Sequence, residues 1–221
     1  MIPAGRYPAL RITQVSPQSS GCLFHHTFFA NRRDTIDFMI QRFETRQWVP
    51  FPVELVFAFF ANPTNLPHLM PRKLVTQIED ARIQPPTPRP AHPDPARRFK
   101  SVAAGVGSEI LISFFPIPWI PRRVSWKTRI TEFEWNSHFC DEQVRGPFKH
   151  FHHRHGIEAE VRDGVEGTLV SDEIEYVLPF GFPGRMAGAF VRRNMAQSFA
   201  YRQKGLPEIL AAAAKQAVKL W

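Results

Sequence analysis

The sequence predicts an α+β domain: an antiparallel sheet of about seven strands, curved around one long C-terminal helix, with two short helices after the first strand. Three observations lead there. β-rich segments follow one another through residues 107–178 with turn residues between them. Apolar residues take helical spacing in two places, directly after the first strand and again from Arg185 onward. A cluster of breakers, Pro179, Gly181, Pro183 and Gly184, separates the last strand from the last helix.

The elements follow in order. "DFMIQRFETRQWV" (37–49) alternates roughly and reads as a strand that Pro50 and Pro52 end. Pro52 suits a first helical turn, and Val53, Val56, Phe57 and Phe60 share one helical face until Asn62-Pro63 stops it. A second short helix is expected over 64–69, and a strand over 73–83. Residues 84–98 hold six prolines in fifteen positions, which excludes them from a sheet interior and predicts an exposed insertion of polyproline character. Strands are expected at 107–115, 123–135, 137–145, 149–161 and 166–178. Asp163-Gly164 marks a two-residue hairpin turn between the last two. The final helix is expected from Arg185 to about Lys204, with Met186, Phe190, Asn194, Ser198 and Phe199 on one side and Arg192, Arg193 and Gln197 on the other. The Ala-rich stretch after it reads as a further helical extension, placed at 211–221. Residues 1–35 show no sustained period and read as a loosely ordered tail, leaving 36–210 as the ligand-binding domain.

Composition narrows the function classes. The chain has 221 residues, enough for one domain with a substantial core. Twenty phenylalanines suit either a Phe-rich core or a core that also lines an apolar cavity. The formal charge is +8, carried in scattered pairs such as Arg32-Arg33, Arg97-Arg98, Arg122-Arg123 and Arg192-Arg193. There is no basic run and no zinc-finger spacing, so no nucleic acid is expected. The charge reads as a solubility device, or as a peripheral contact with an anionic membrane surface. Cys22 and Cys140 form neither a CxxC nor a disulfide framework, which predicts a reduced, cytoplasmic setting. Pro3, Arg6 and Pro8 follow Met1 without an apolar leader, and "ILISFFPIPWI" (110–120) is short of the roughly 20 residues that cross a bilayer. Phosphate-binding glycine loops and G-x-S-x-G are absent.

The chemistry-bearing stretch is "GPFKHFHHRH" (146–155), with four histidines in six positions. Strand alternation divides them. Phe151, His153, His155 and Ile157 share the apolar, inward face; His150, His152, Arg154 and Glu158 share the outward one. If Arg162 pairs with Val165 across the Asp163-Gly164 turn, His155 faces Asp172 and His153 faces Ile174. The same inner face carries Phe139, Asp141 and Gln143 on the preceding strand, and Trp126, Thr128 and Ile130 on the one before it. Tyr176 extends the Asp172 strand, and Phe190 is expected to close the wall from the helix. A polar seam of Asp141, Gln143, His153, His155 and Asp172 inside aromatic walls has three readings: a satisfied buried network, a ligand-orienting set, or an acid/base pair. No metal or other cofactor is expected, because no Cys or Glu completes a ligand set around His153 and His155. Arg202 is read as anchoring the helix end to the sheet or, as the alternative, reaching a ligand's anionic head, and Cys140 as turned away from Asp141.

Four motifs in this order carry a resemblance: "WVPFPVELVFAFFANPTNLPHLMP" (48–71), "WKTRITEFEWNSHFCDEQVRGPF" (126–148), "TLVSDEIEYVLPFG" (168–181) and "FAYRQKGL" (199–206). Across about residues 38–210 the chain resembles the START/Bet v 1-like superfamily, also called SRPBCC, and within it small bacterial polyketide cyclase/dehydrase-like proteins. Relatives commonly carry an aromatic-x-His-x-His pattern where this chain has Phe151, His153 and His155. They lack a counterpart of the 1–35 tail and usually have a shorter connection at 84–98. The resemblance implies a helix-grip fold with a pocket for a hydrophobic ligand: a lipid, a quinone as in coenzyme Q-binding relatives, or a polyketide. It also implies an alternative, a cyclase/dehydratase in which His153 or His155 is the general base and Asp172 its orienter.

Overall fold

The computed structural model describes residues 40–218, except 95, 96, 98, 100, 117–120 and 180–183. The expected tail at 1–35 lies outside the described residues. Strand β1 is Gln41–Val49. Helix α1, Val53–Phe60, follows with Pro52 at its N-cap. Pro63–Asn65 forms a single 3-10 turn that leads into the short helix α2, Leu66–Leu69. Six strands come next: β2 Gln77–Arg82, β3 Glu109–Phe114, β4 Val124–Glu134, β5 His138–Arg145, β6 His150–Arg162 and β7 Val165–Val177. The last helix, α3, runs Gly184–Val218.

The seven strands form one antiparallel sheet in the order β1-β7-β6-β5-β4-β3-β2. Chain order and sheet order agree from β2 to β7, and β1 pairs beside β7. The α1–α2 connection therefore carries the chain from one sheet edge to the other. The β6–β7 hairpin has the register expected from Asp163-Gly164. Arg162 pairs with Val165, and both turn residues have positive φ, at 50° and 77°. That conformation is the primed turn whose twist matches a two-residue hairpin.

Two apolar clusters hold the layers together. One joins α1 (Val56, Phe57, Phe59, Phe60), the sheet residues Val49, Ile110, Ile112, Ile130, Phe139, Ile157 and Val170, and Leu206 and Leu210 of α3. The other joins Phe43, Phe151, Ile174 and Tyr176, with Trp126, Phe148, Val191, Met195 and Phe199 packed against them. Burial of this kind contributes roughly 25 cal/mol for each Å² of apolar surface removed from water.

The structure departs from the sequence reading in three places. The last helix continues as one element through Pro207, where the sequence suggests a second helical piece. The buried stripe of α3 passes through Gly188, Arg202, Leu206 and Leu210, with Val191, Met195 and Phe199 between them. Phe190 sits about 150° around the helix from the middle of that stripe and is 53% exposed, so it does not close the wall. The Pro-rich segment is also tied down more than expected. Arg89 donates to the backbone oxygens of Glu54 and Phe99 and lies over the Trp135 ring, whose Nε1 donates to Thr87 O at 2.7 Å.

Candidate functional site

Between the two apolar clusters, the inner sheet face carries a patch of polar side chains. Register places them. Asp141 on β5 is opposite His153 on β6, Phe139 is opposite His155, and His155 is opposite Asp172 on β7. The alternation that turns Phe151 and Ile157 inward turns the two histidines the same way. Arg202 descends onto this patch from α3.

Asp172 is the centre. Its carboxylate is 1% exposed and takes both terminal nitrogens of Arg202, Nη1 at 3.0 Å to Oδ1 and Nη2 to Oδ2. This is the forked geometry in which arginine holds a carboxylate most firmly. The guanidinium lies over the Phe199 ring at 4.5 Å and the Phe60 ring at 5.6 Å, so apolar surface encloses the pair. Asp172 Oδ1 also meets His153 Nε2 at 3.0 Å, with His155 Nδ1 at 3.3 Å. On the other side, His155 Nε2 is 3.1 Å from Asp141 Oδ2, and His153 Nδ1 is 3.8 Å from the same oxygen. The two imidazoles lie against each other with centroids 3.7 Å apart, and Phe139 stacks on His155 at 4.3 Å.

The electrostatics follow from these contacts. Burial alone would raise the Asp172 carboxyl, but the Arg202 charge, the hydrogen bond from His153 and the close approach of His155 outweigh it and hold the group well below the usual carboxylate range. Burial, with the neighbouring His155, pushes His153 below its ordinary value. Burial opposes the charged form of His155 as well, yet its bond to Asp141 and the adjacent Asp172 carboxylate prevail and raise it. The two rings are thus driven in opposite directions, beside two carboxylates and one guanidinium.

The other residues expected at the site divide into two groups. Trp126 and Thr128 are partly buried on β4. Trp126 forms an aromatic wall with Phe151 at 4.7 Å, Phe148 at 5.7 Å and Phe114 at 6.1 Å. Gln143, by contrast, clamps the β5–β6 connection: its Nε2 donates to Phe148 O at 2.7 Å and its Oε1 accepts from Phe148 N at 3.2 Å. A Cβ on Gly146 would come within 2.8 Å of Gln143 and Trp126 side-chain atoms, which is why the connection carries glycine there. Tyr176 is fully buried beneath Phe148, and its hydroxyl donates to Gln41 at 3.1 Å. Phe190 stands apart from the site on the exposed side of α3.

Sequence reasoning named Arg202 as an anchor without its partner, and it left Phe148 and Phe199 out of the walls. The spacing 188, 191, 195, 199, 202 and 206 along α3 is the signal that finds Phe199 and Arg202 together. Cys140 is on the opposite sheet face from Asp141. It is buried, 3.2 Å from Glu132 Oε2, and burial with that carboxylate pushes its thiol up to about 12. Among the described residues, no helix is long and apolar enough to cross a membrane.

Several solved structures superpose on this chain. The protein TTHA0849 of Thermus thermophilus superposes with a TM-score of 0.52 at 16% identity, covering 78% of this chain and 99% of its own. A START superfamily protein of Mycobacterium smegmatis gives 0.49 at 14% identity, covering 77% and 97%. Norcoclaurine synthase of Thalictrum flavum, in complex with dopamine and hydroxybenzaldehyde, gives 0.49 at 12% identity, covering 84% and 98%. A search of curated proteins found no match. The family profile described as polyketide cyclase / dehydrase and lipid transport matches residues 49–202, well over half of the sequence, and the chain belongs to that family.

Proposed function

We propose that the chain binds a hydrophobic small molecule, of lipid, quinone or polyketide type, between the inner sheet face and α3. The observation that carries this reading is a contrast within one polar network. Asp172 and Arg202 are closed off, the carboxylate taken by Arg202 and His153, whereas the Asp141 and His155 side chains each keep 14% of their surface open. Accessible polar groups set among aromatic walls are how an apolar site orients a ligand's hydroxyl or carbonyl. Asp141 and His155 are the orienting groups; Trp126, Thr128, Phe139, Phe151 and Phe148 supply the walls. Quinones quench tryptophan emission, so titration with decylubiquinone tests the reading. Saturable quenching that weakens about tenfold in Asp141→Asn, the cost of one oriented hydrogen bond, supports it. Absence of saturable binding of quinone, fatty acid and an aromatic polyketide alike rejects it.

A second reading is the cyclase/dehydratase, and the observation favouring it is the opposed displacement of His153 and His155. Paired groups whose surroundings drive their titration apart are suited to acid and base roles. In that reading Asp172 orients the base, and Arg202 fixes Asp172. His155→Ala, still folded by circular dichroism, is then expected to lose turnover of a β-hydroxyketone polyketide analogue; unchanged turnover rejects the enzyme.

A further inference from the structure

We propose that Asp141, His153 and His155 form a binding site for a divalent transition metal of the zinc class. No Cys or Glu completes a ligand set around the two histidines in sequence. Folding supplies an aspartate from the neighbouring strand instead. One donor atom from each of the three residues lies within 4.8 Å of the others, and Asp141 Oδ2 is 3.1 Å from His155 Nε2 and 3.8 Å from His153 Nδ1. Ligands held about 2.0–2.1 Å from a tetrahedral zinc stand roughly 3.3 Å apart, so shifts of about half an ångström or less bring the two oxygen–nitrogen edges to that polyhedron, and the two rings close toward each other to complete it.

The second nitrogen of each ring strengthens the assignment. A metal-ligating histidine usually gives its other N–H to a carboxylate, which fixes the tautomer and the ring plane. Here both remaining nitrogens, His153 Nε2 at 3.0 Å and His155 Nδ1 at 3.3 Å, face one oxygen of Asp172. His155 Nδ1 is buried and makes no hydrogen bond of good geometry in this arrangement. With a metal on Nε2, that Nδ1–H turns onto Asp172, which Arg202 already holds. Two imidazole nitrogens and one carboxylate oxygen suit zinc, cobalt, nickel or ferrous iron and disfavour calcium and magnesium. Three protein ligands leave a position for water or for an oxygen of a bound molecule.

The other grouping of such donors among the described residues, Glu132, Cys140 and His152, lies on the outer face. There Arg154 Nη1 is 3.5 Å from the Glu132 carboxylate, placing a competing cation on it.

The inference does not rest on the hydrophobic-ligand reading, since zinc uptake and quinone binding are measured separately. The test is calorimetric titration of the chelator-stripped full chain with Zn²⁺, paralleled by the visible absorption of its Co²⁺ form. One equivalent is expected per chain. Affinity falls more than about a hundredfold in Asp141→Asn and His155→Gln, falls roughly tenfold to a hundredfold in Asp172→Asn, and is unchanged in Cys140→Ser. Circular dichroism confirms which variants are folded, and either of the first two suffices. The proposal is overturned if the wild type binds no stoichiometric zinc, if the folded Asp141→Asn or His155→Gln variant binds as the wild type does, or if Cys140→Ser loses the ion.

Discussion

Replacing Arg202 with methionine removes the guanidinium from Asp172 and keeps most of the side-chain volume against Phe60 and Phe199. The carboxylate left behind is 1% exposed, too enclosed for bulk solvent to replace the two lost bonds. Removing one partner of a buried pair costs about 3–5 kcal/mol. His153 and His155 stay within 3.0 Å and 3.3 Å of the same carboxylate, which places this case near the lower end. A loss of about 3 kcal/mol lowers the midpoint of thermal unfolding by roughly 6–12 °C for a domain of this size. Asp172→Asn, which strands the guanidinium instead, is expected to cost about as much. The double variant, Asp172→Asn with Arg202→Met, leaves no unpaired charge, so its loss falls well below the sum and the coupling is about 3 kcal/mol. Urea unfolding followed by tryptophan emission and circular dichroism measures all four proteins. A single-variant loss under about 1 kcal/mol, or additive losses in the double variant, refutes the view that this pair fastens α3 to the sheet.

Three further outcomes follow from the structure. In a Cys22→Ser background, Cys140 is expected to resist a thiol reagent at mildly alkaline pH and to react at once in denaturant, because burial and Glu132 push it up to about 12; prompt native labelling contradicts this. Hydrogen bonds from Lys127, then Arg129, lower the Glu109 carboxyl from 4.5 to about 2. Its contribution is therefore present above about 4.5 and lost as pH falls toward about 2, so the stability gap between wild type and Glu109→Gln narrows across that window in acid titrations of urea unfolding. Phe190→Ser is expected to change stability by less than about 0.5 kcal/mol and to leave quinone affinity unchanged, since the ring is 53% exposed; a large loss in either assay contradicts an outward-facing Phe190.

Much of the sheet was legible because strand alternation and turn chemistry are local. Asp163-Gly164 has one good conformation, and once it pairs Arg162 with Val165 the opposition of His155 to Asp172 follows by counting. The same counting turned His153 and His155 inward together. What escaped was set by layers rather than by neighbours in sequence. The α3 stripe rests against β1, α1 and α2, so its phase depends on where the helix lands, and Phe190 was assigned to the wrong side. The Arg202–Asp172 pair spans thirty positions and two element types, and no short-range pattern announces it. Gln143 and Tyr176 alternate inward as expected, but the backbone of Phe148 and the side chain of Gln41 take their polar groups, which face-counting cannot foresee.

Native mass spectrometry of the freshly purified chain, released gently and then compared with a denatured sample, tests the binding account most directly. The account predicts a one-to-one complex with a hydrophobic molecule, or a chain that takes up one added quinone or fatty acid and loses it in a Trp126→Ala/Phe151→Ala variant that remains folded. A chain that stays bare under every such addition, or that binds equally well after both aromatic walls are removed, contradicts it.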